Sequence, residues 1–241
     1  NRLRRFLADA SHELRTPLVS IRGYAELFRT GAVRERSETE KAMRRIEEES
    51  KRMGVLVDDM LTLARVDEMR EPIREPVELD RLASDAVEDA RAADAERTIE
   101  LVADTRAVVL GDRHQLQQVI ANLMRNALTH TPAGTPVDLF VRRENGQVEL
   151  VVRDHGPGLP SGDPAELFER FWRADSGRIR GAGGAGLGLA IVAAIVDAHG
   201  GSVSAADAAG GGAEFTVRLP ADRRAATSAN VGGAASRDRP S

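Results

Sequence analysis

The chain has 241 residues, 41% of them apolar and 30% charged, enough for one large domain or two small ones with packed cores. A formal charge of −4 and an aromatic content of 3% argue against a nucleic-acid surface or a base-stacking platform. The absence of cysteine excludes disulfide scaffolds, thiol catalysis and cysteine-ligated zinc. Lys41 and Lys51 are the only lysines among 34 basic residues, an arginine bias that reads as genome composition rather than as a binding surface.

In chain order, residues 1–66 read as two helices. Leu3, Leu7, Ala10, Leu14, Pro17, Ile21, Tyr24 and Phe28 alternate spacings of four and three, and Met43, Ile46, Ser50, Met53, Val57, Met60 and Ala64 continue the pattern. That alternation is the seam of a helical bundle, with Gly31 to Ser37 as the turn. Two helices cannot enclose a core, so the hairpin is expected to pair with a second copy into a four-helix bundle. Pro17 is expected to interrupt and kink the first helix.

Residues 67–76, with Pro72 and Pro76, read as a hinge, and a second domain spans 77–220. Leu79 to Arg91 patterns as an amphipathic helix; Thr98 to Val102 and Ala107 to Leu110 pattern as short strands. Asp112 is the expected N-cap of a strong helix running to Thr129. Val137 to Arg143 and Gln147 to Arg153 alternate around Asn145-Gly146, the strongest short hairpin signal. A Gly/Pro/Arg-rich stretch from Gly156 to Ala185 precedes a helix from about Leu187 to His199, and Val203 and Phe215 to Leu219 mark closing strands. Helices on one side of a mixed sheet make an α+β sandwich, so the chain reads as an all-α hairpin followed by an α+β domain. Residues 221–241 have little to bury and are expected to be disordered.

The longest apolar stretch, Leu187 to Val196, is far short of the about 20 residues of a membrane span. No signal peptide is visible. The chain begins at Asn1 rather than Met, and the expectation is a fragment of a longer protein, so any membrane attachment would come only through segments before residue 1.

His12 lies between seam residues Ala10 and Leu14, about 200° around the helix from Leu14, so it points to solvent. A lone exposed histidine is usually inert. Its setting is not ordinary: Phe6-Leu7-Ala8-Asp9-Ala10-Ser11-His12-Glu13-Leu14-Arg15-Thr16-Pro17-Leu18 closely resembles the phosphoacceptor segment of sensor histidine kinases. By that resemblance, His12 is the nucleophile that accepts the γ-phosphoryl group of ATP. The attack needs a neutral imidazole, and Glu13 can hold one ring N–H and fix which nitrogen is free. Thr16 completes a His-Glu-x-x-Thr pattern, which in the family is associated with positioning water for dephosphorylation of the partner.

On the helix after Asp112, Asn122 and Asn126 share a face one turn apart, while Leu116, Val119, Ile120, Leu123 and Ala127 fill the other. Asparagine is a poor residue in a helix interior, so two on one face suggest a use. The stretch resembles the asparagine helix of the histidine kinase ATP-binding domain, which implies that Asn126 supplies an oxygen to Mg²⁺ bridging the phosphates. ATP-hydrolysing relatives of the wider superfamily carry a water-activating glutamate where Asn122 stands; an amide cannot deprotonate water, which favours a kinase. Thr129-His130 departs from the common Lys-Tyr. His130 can still pack on adenine, but a basic phosphate contact is lost, and Arg125 or a loop arginine is the candidate replacement.

Asp154-His155-Gly156-Pro157-Gly158 follows a predicted strand and resembles the family's adenine-binding segment, with Asp154 as acceptor for the adenine amino group and Gly156 and Gly158 admitting the base. Leu167 to Arg173 resembles the phenylalanine box, with Phe168 and Phe171 expected to pack. Gly184, Gly186, Leu187 and Gly188 open the next helix, and glycines before a helix start expose N–H groups to phosphate oxygens. Arg173, Arg178 and Arg180 are candidates for closing over the triphosphate. His114, His155 and His199 show no ligand spacing and read as packing or surface; His199-Gly200-Gly201 and Gly210 to Gly212 read as closing turns.

Together the motifs imply the catalytic core of a sensor histidine kinase, a homodimer using ATP and Mg²⁺. It would phosphorylate His12, pass the phosphoryl group to an aspartate of a response regulator docked beside His12, and also act as a phosphatase toward that regulator. The hinge would let the ATP domain reach His12, and the parent protein would sit at the inner face of the cell membrane. Two other readings compete: a superfamily ATPase, marked by phosphate release without protein labelling, and a scaffold that does not bind nucleotide, marked by a flat ATP titration.

Overall fold

The computed structural model describes residues 2–32, 35–68, 73–103, 106–173 and 185–222, with side chains from residue 8 onward except at 67 and 68. Two long helices come first, α1 (Arg2–Arg29) and α2 (Arg36–Glu68). Helix α1 ends in a Schellman turn at Gly31: the Ala32 N–H reaches the Leu27 carbonyl and the Gly31 N–H reaches Phe28, both at 3.1 Å. The helical run passes through Pro17 without a break, so the expected interruption is not there, and Pro17 is buried. On α1, Ala10 and Pro17 are buried and Phe28 is 51% exposed; Leu3 and Leu7 lie outside the described side chains.

The buried stripe of α2 differs from the expected one. Ala42, Leu56, Asp59, Leu63 and Val66 are buried, while Met43 and Val57 are exposed. The reason is tertiary. The C-terminal half of α2 packs on the second domain, and Leu56, Leu63 and Val66 belong to that domain's core cluster.

The second domain begins with β1 (Glu75–Glu78) and α3 (Leu79–Ala93), followed by β2 (Ile99–Ala103), β3 (Val108–Gly111) and α4 (Arg113–His130). Then come β4 (Val137–Glu144), β5 (Gln147–Asp154), a short 3-10 turn at Pro164–Phe168, α5 (Gly188–Ala198), β6 (Ser202–Asp207) and β7 (Ala213–Pro220). The main sheet has the order β2-β4-β5-β7-β6, with β2 and β4 parallel and every other pair antiparallel. Helices α3, α4 and α5 supply Leu82, Val87, Leu116, Ile120, Leu123, Ile191 and Ile195 to a core shared with Leu139, Leu150 and Val217 of the sheet. The result is the expected α+β sandwich.

A separate two-stranded ribbon pairs β1 with β3 in antiparallel register, Glu75 opposite Gly111 and Glu78 opposite Val108. Glu75 and Pro76, read above as hinge, are therefore strand. At the other end, Ala221 bridges Val109 and the Asp222 N–H reaches the Val108 carbonyl at 2.8 Å, so these two residues of the expected tail are also tied down. The rest of that tail lies outside the described residues.

Candidate functional site

Asp112 caps α4 as its sequence position predicts, its carboxylate accepting the His114 and Gln115 N–H groups at 2.9 and 3.2 Å. This fixes which face of α4 meets the core and which meets α5. Asn122, only 4% exposed, donates from Nδ2 to the Gly188 carbonyl at 3.3 Å, while its Oδ1 is buried without a partner. Asn126, one turn on, is half-buried. Gly188 is the first residue of α5, whose N-terminus has no side-chain cap, so its leading N–H groups are not occupied by a capping side chain.

Leu187 is fully buried in the core, so its side chain is a packing group and only its backbone can face a ligand. Gly186 has φ +73°, and a Cβ there would lie 2.6 Å from the Trp172 carbonyl oxygen. That proximity is used: the Gly186 carbonyl accepts the Phe171 N–H at 2.9 Å, with Phe171 itself at φ 62°. Phe168, Phe171 and Trp172 pack on the core, as expected for the aromatic segment. Gly184, Arg178 and Arg180 fall outside the described residues.

Asp154 ends β5 and is 5% exposed. Its Oδ1 accepts two backbone N–H groups, from Gly156 at 2.9 Å and Ala213 at 3.2 Å. Both act on one oxygen, which sets the plane of the carboxylate and leaves Oδ2 as the acceptor available for a ligand. Gly156 lies so close to Thr131 that a Cβ would be 2.6 Å from the threonine methyl. Gly158 sits against Asp207, whose carboxylate accepts the Leu159 N–H at 2.8 Å and pins the loop.

His130, the last residue of α4, keeps an exposed edge, but its pKa is pushed below the ordinary imidazole value. Burial of the rest of the ring is the main cause, the Arg173 guanidinium adds to it, and the Asp154 carboxylate opposes both. His130, Arg173 and Asp154 thus share one electrostatic neighbourhood.

The other histidines behave as packing or surface groups. His155 pairs with Asp138 at 2.7 Å, and His199 is buried between the Ile195 carbonyl, 2.7 Å from Nδ1, and the Asp112 N–H, 3.1 Å from Nε2. Among the described residues no cluster of three or more His, Cys, Asp or Glu side chains could hold a metal ion. A hard cation here would be held by a neutral amide oxygen such as that of Asn126 together with oxygens brought by a ligand, a donor set that suits Mg²⁺.

On the hairpin, His12 is exposed, Glu13 is half-buried beside it, and the Thr16 hydroxyl donates to the His12 carbonyl at 3.4 Å. Sequence reasoning missed Arg97, Thr131 and Asp207, which brace this end of the domain beside Gly212 of the expected closing turn. Only the Thr131-Pro132 stop after α4 left a trace in the sequence.

Comparison with known proteins finds two family matches along the chain. Residues 2–68 match the family His Kinase A (phospho-acceptor) domain, and residues 111–223 match the Histidine kinase-, DNA gyrase B-, and HSP90-like ATPase family. The probable sensor histidine kinase TcrY of Mycobacterium tuberculosis is 46% identical over 222 residues, covering 91% of this chain and 46% of TcrY. The chain thus spans about half the length of that relative. The solved structure of the mycobacterial sensor histidine kinase MprB is 31% identical, with 62% of this chain and 98% of that one covered at a TM-score of 0.55. The structure of full-length ShkA in complex with AMPPNP is 29% identical, covering 90% of this chain and 46% of that one at a TM-score of 0.63.

Proposed function

The chain belongs to the sensor histidine kinases of two-component systems, and from that premise we propose that it is an ATP-dependent kinase that phosphorylates its own His12. The observation that carries the reading is a convergence at one end of the sheet. Asn122 is bonded to the glycine-led start of α5, Asp154 is locked by two N–H groups, and His130 lies in the field of Asp154, while the other domain exposes a histidine next to a carboxylate.

In this reading Asp154 accepts the adenine amino group, with Gly156 and Gly158 admitting the base, and His130 stacks as a neutral ring. The start of α5 from Gly186 to Gly188 turns its N–H groups on the phosphates. On α4, Asn126 lies one turn beyond Asn122, whose buried Oδ1 has no partner. Mg²⁺, held by Asn126, would neutralise charge on the phosphates. The free nitrogen of His12 forms the new N–P bond, the bond from γ-phosphorus to the bridging oxygen breaks with its electrons going to ADP, and Glu13 holds the proton on the other ring nitrogen. Positioning and charge neutralisation do most of the work.

A homodimer fits the exposed apolar residues Leu18, Val19, Leu27, Phe28 and Met43 of the hairpin, which a second copy would cover. The phosphoryl acceptor would be an aspartate of a response regulator docked near His12, and in a separate phosphatase reaction Thr16 would orient the water that hydrolyses that aspartyl phosphate, releasing inorganic phosphate. As part of a longer protein the chain would work at the inner face of the cell membrane; among the described residues no helix is long and apolar enough to cross one.

The deciding measurement is incubation with γ-labelled ATP and Mg²⁺, comparing the chain with its His12→Gln variant. Acid-labile, base-stable label on the first and none on the second supports the kinase. Free phosphate without labelled protein supports an ATPase instead.

A further inference from the structure

Arg97 is a buried arginine that the phosphoryl-transfer chemistry does not use. It lies in the turn between α3 and β2 with its side chain 3% exposed. A guanidinium so deep is retained only if its donors are satisfied, and here four contacts do so. Nε reaches Asp94 at 3.0 Å, Nη1 reaches the Thr131 hydroxyl at 2.7 Å, and Nη2 reaches the Pro132 carbonyl at 3.1 Å and the Leu128 carbonyl at 3.5 Å. Three of the four lie at the C-terminal end of α4, where carbonyls lack helical partners and a positive charge is favoured.

The Thr131 hydroxyl has a second role, donating back to the Ala127 carbonyl at 2.6 Å. That pair of bonds fixes its rotamer and turns its methyl toward Gly156, where a Cβ would come within 2.6 Å. Gly156 in turn donates to the carboxylate of Asp154. A continuous chain of contacts therefore runs from Arg97 through Thr131 and Gly156 to Asp154. The same guanidinium braces the last turn of α4, which carries His130.

We propose that Arg97 is a positioning residue for the nucleotide: it sets the gap between His130 at the end of α4 and Asp154 at the end of β5, and so governs affinity at the base end of the site. The proposal rests on the nucleotide reading given above. A brace of this kind predicts a loss of affinity for the base whether or not the phosphates carry a metal.

The test uses the whole chain with Arg97→Met, and with Thr131→Val as a milder variant that keeps the side-chain volume but removes the hydroxyl. ADP affinity is measured by calorimetry with and without Mg²⁺, well below each variant's melting temperature, alongside kcat and KM for ATP in His12 labelling. Arg97→Met should weaken ADP about tenfold under both conditions and raise KM with little change in kcat. Thr131→Val should weaken ADP roughly threefold. Wild-type ADP affinity in the folded variants overturns the proposal, as does a loss confined to Mg²⁺ conditions; if Arg97→Met does not fold, Thr131→Val decides. Failure of the unsubstituted chain to bind ADP overturns the nucleotide reading itself, and this inference with it.

Discussion

Gly212 presses on the backbone of Asp154: a Cβ at Gly212 would lie 1.8 Å from the Asp154 carbonyl oxygen, and its φ is +91°. Both facts forbid a side chain. Gly212→Ala must push β7 away from the end of β5, and a loss of about 2–4 kcal/mol in denaturant unfolding is expected. Since the neighbouring Ala213 N–H holds the Asp154 carboxylate, ADP affinity should fall as well. Wild-type stability would mean that the Gly210–Gly212 turn can shift without strain.

Asp59 is buried on α2, and burial raises its pKa above the ordinary carboxylate value; the charge of Arg125 on α4 works against that rise and Asp58 adds to it. With the folded value above the unfolded one, its contribution is present at low pH and lost as pH rises through the folded pKa. In its ionised form the carboxylate therefore weakens the contact between hairpin and second domain. Asp59→Asn is expected to raise the melting temperature at pH 7 and to flatten its dependence between pH 4 and 7.

His130 has the opposite sign. Its folded pKa is depressed, chiefly by burial, so its contribution is present above the unfolded value near 6.5 and is lost as pH falls through the folded value. Melting measured from pH 7.5 down to pH 5 should show a stability loss that His130→Gln reduces. ATP affinity should decline over the same interval, because a protonated ring beside Arg173 repels that guanidinium.

Leu63 lies on α2 yet is 1% exposed among core residues of the other domain. Leu63→Ala is expected to cost about 2–4 kcal/mol, read as faster hydrogen exchange in the C-terminal half of α2 and in α5. Protection lost only within α1 and α2 would show that Leu63 serves the hairpin alone.

Thr16 donates to the backbone of its own helix, so its loss should leave α1 intact. Thr16→Ala is expected to keep His12 labelling within about twofold and to slow dephosphorylation of the partner regulator at least tenfold. An unchanged dephosphorylation rate removes Thr16 from that step.

Features written in local sequence were legible. Asn145 and Gly146 take φ 51° and 78°, the turn their pairing predicts, and Asp112 caps α4. Asp154, Gly156, Asn122 and the start of α5 stand out as candidates because motif and element coincide. What was missed depends on partners far along the chain. Strand β1 reads Glu-Pro-Val-Glu, without alternation and with a proline, and exists because β3 pairs with it. The stripe of α2 is shifted because Leu56, Leu63 and Val66 join the second domain's core, where α2 meets α5. Arg97 is hidden by its type, since an arginine in a turn reads as surface until the end of α4 is brought over it.

The β1–β3 ribbon also bears on reach. Strand β1 is only four residues long, runs directly into α3, and among its own side chains buries only Val77. A pull from the N-terminal side would load it from Glu75, at one end of the ladder, so its bonds would part in succession like a zip rather than together. Peeling it would release four residues of slack, about 13 Å at 3.3 Å per residue. The five-stranded sheet and the Asn122–Asp154 end of the domain lie outside that ribbon, so those four residues could be released while that end of the domain keeps its contacts.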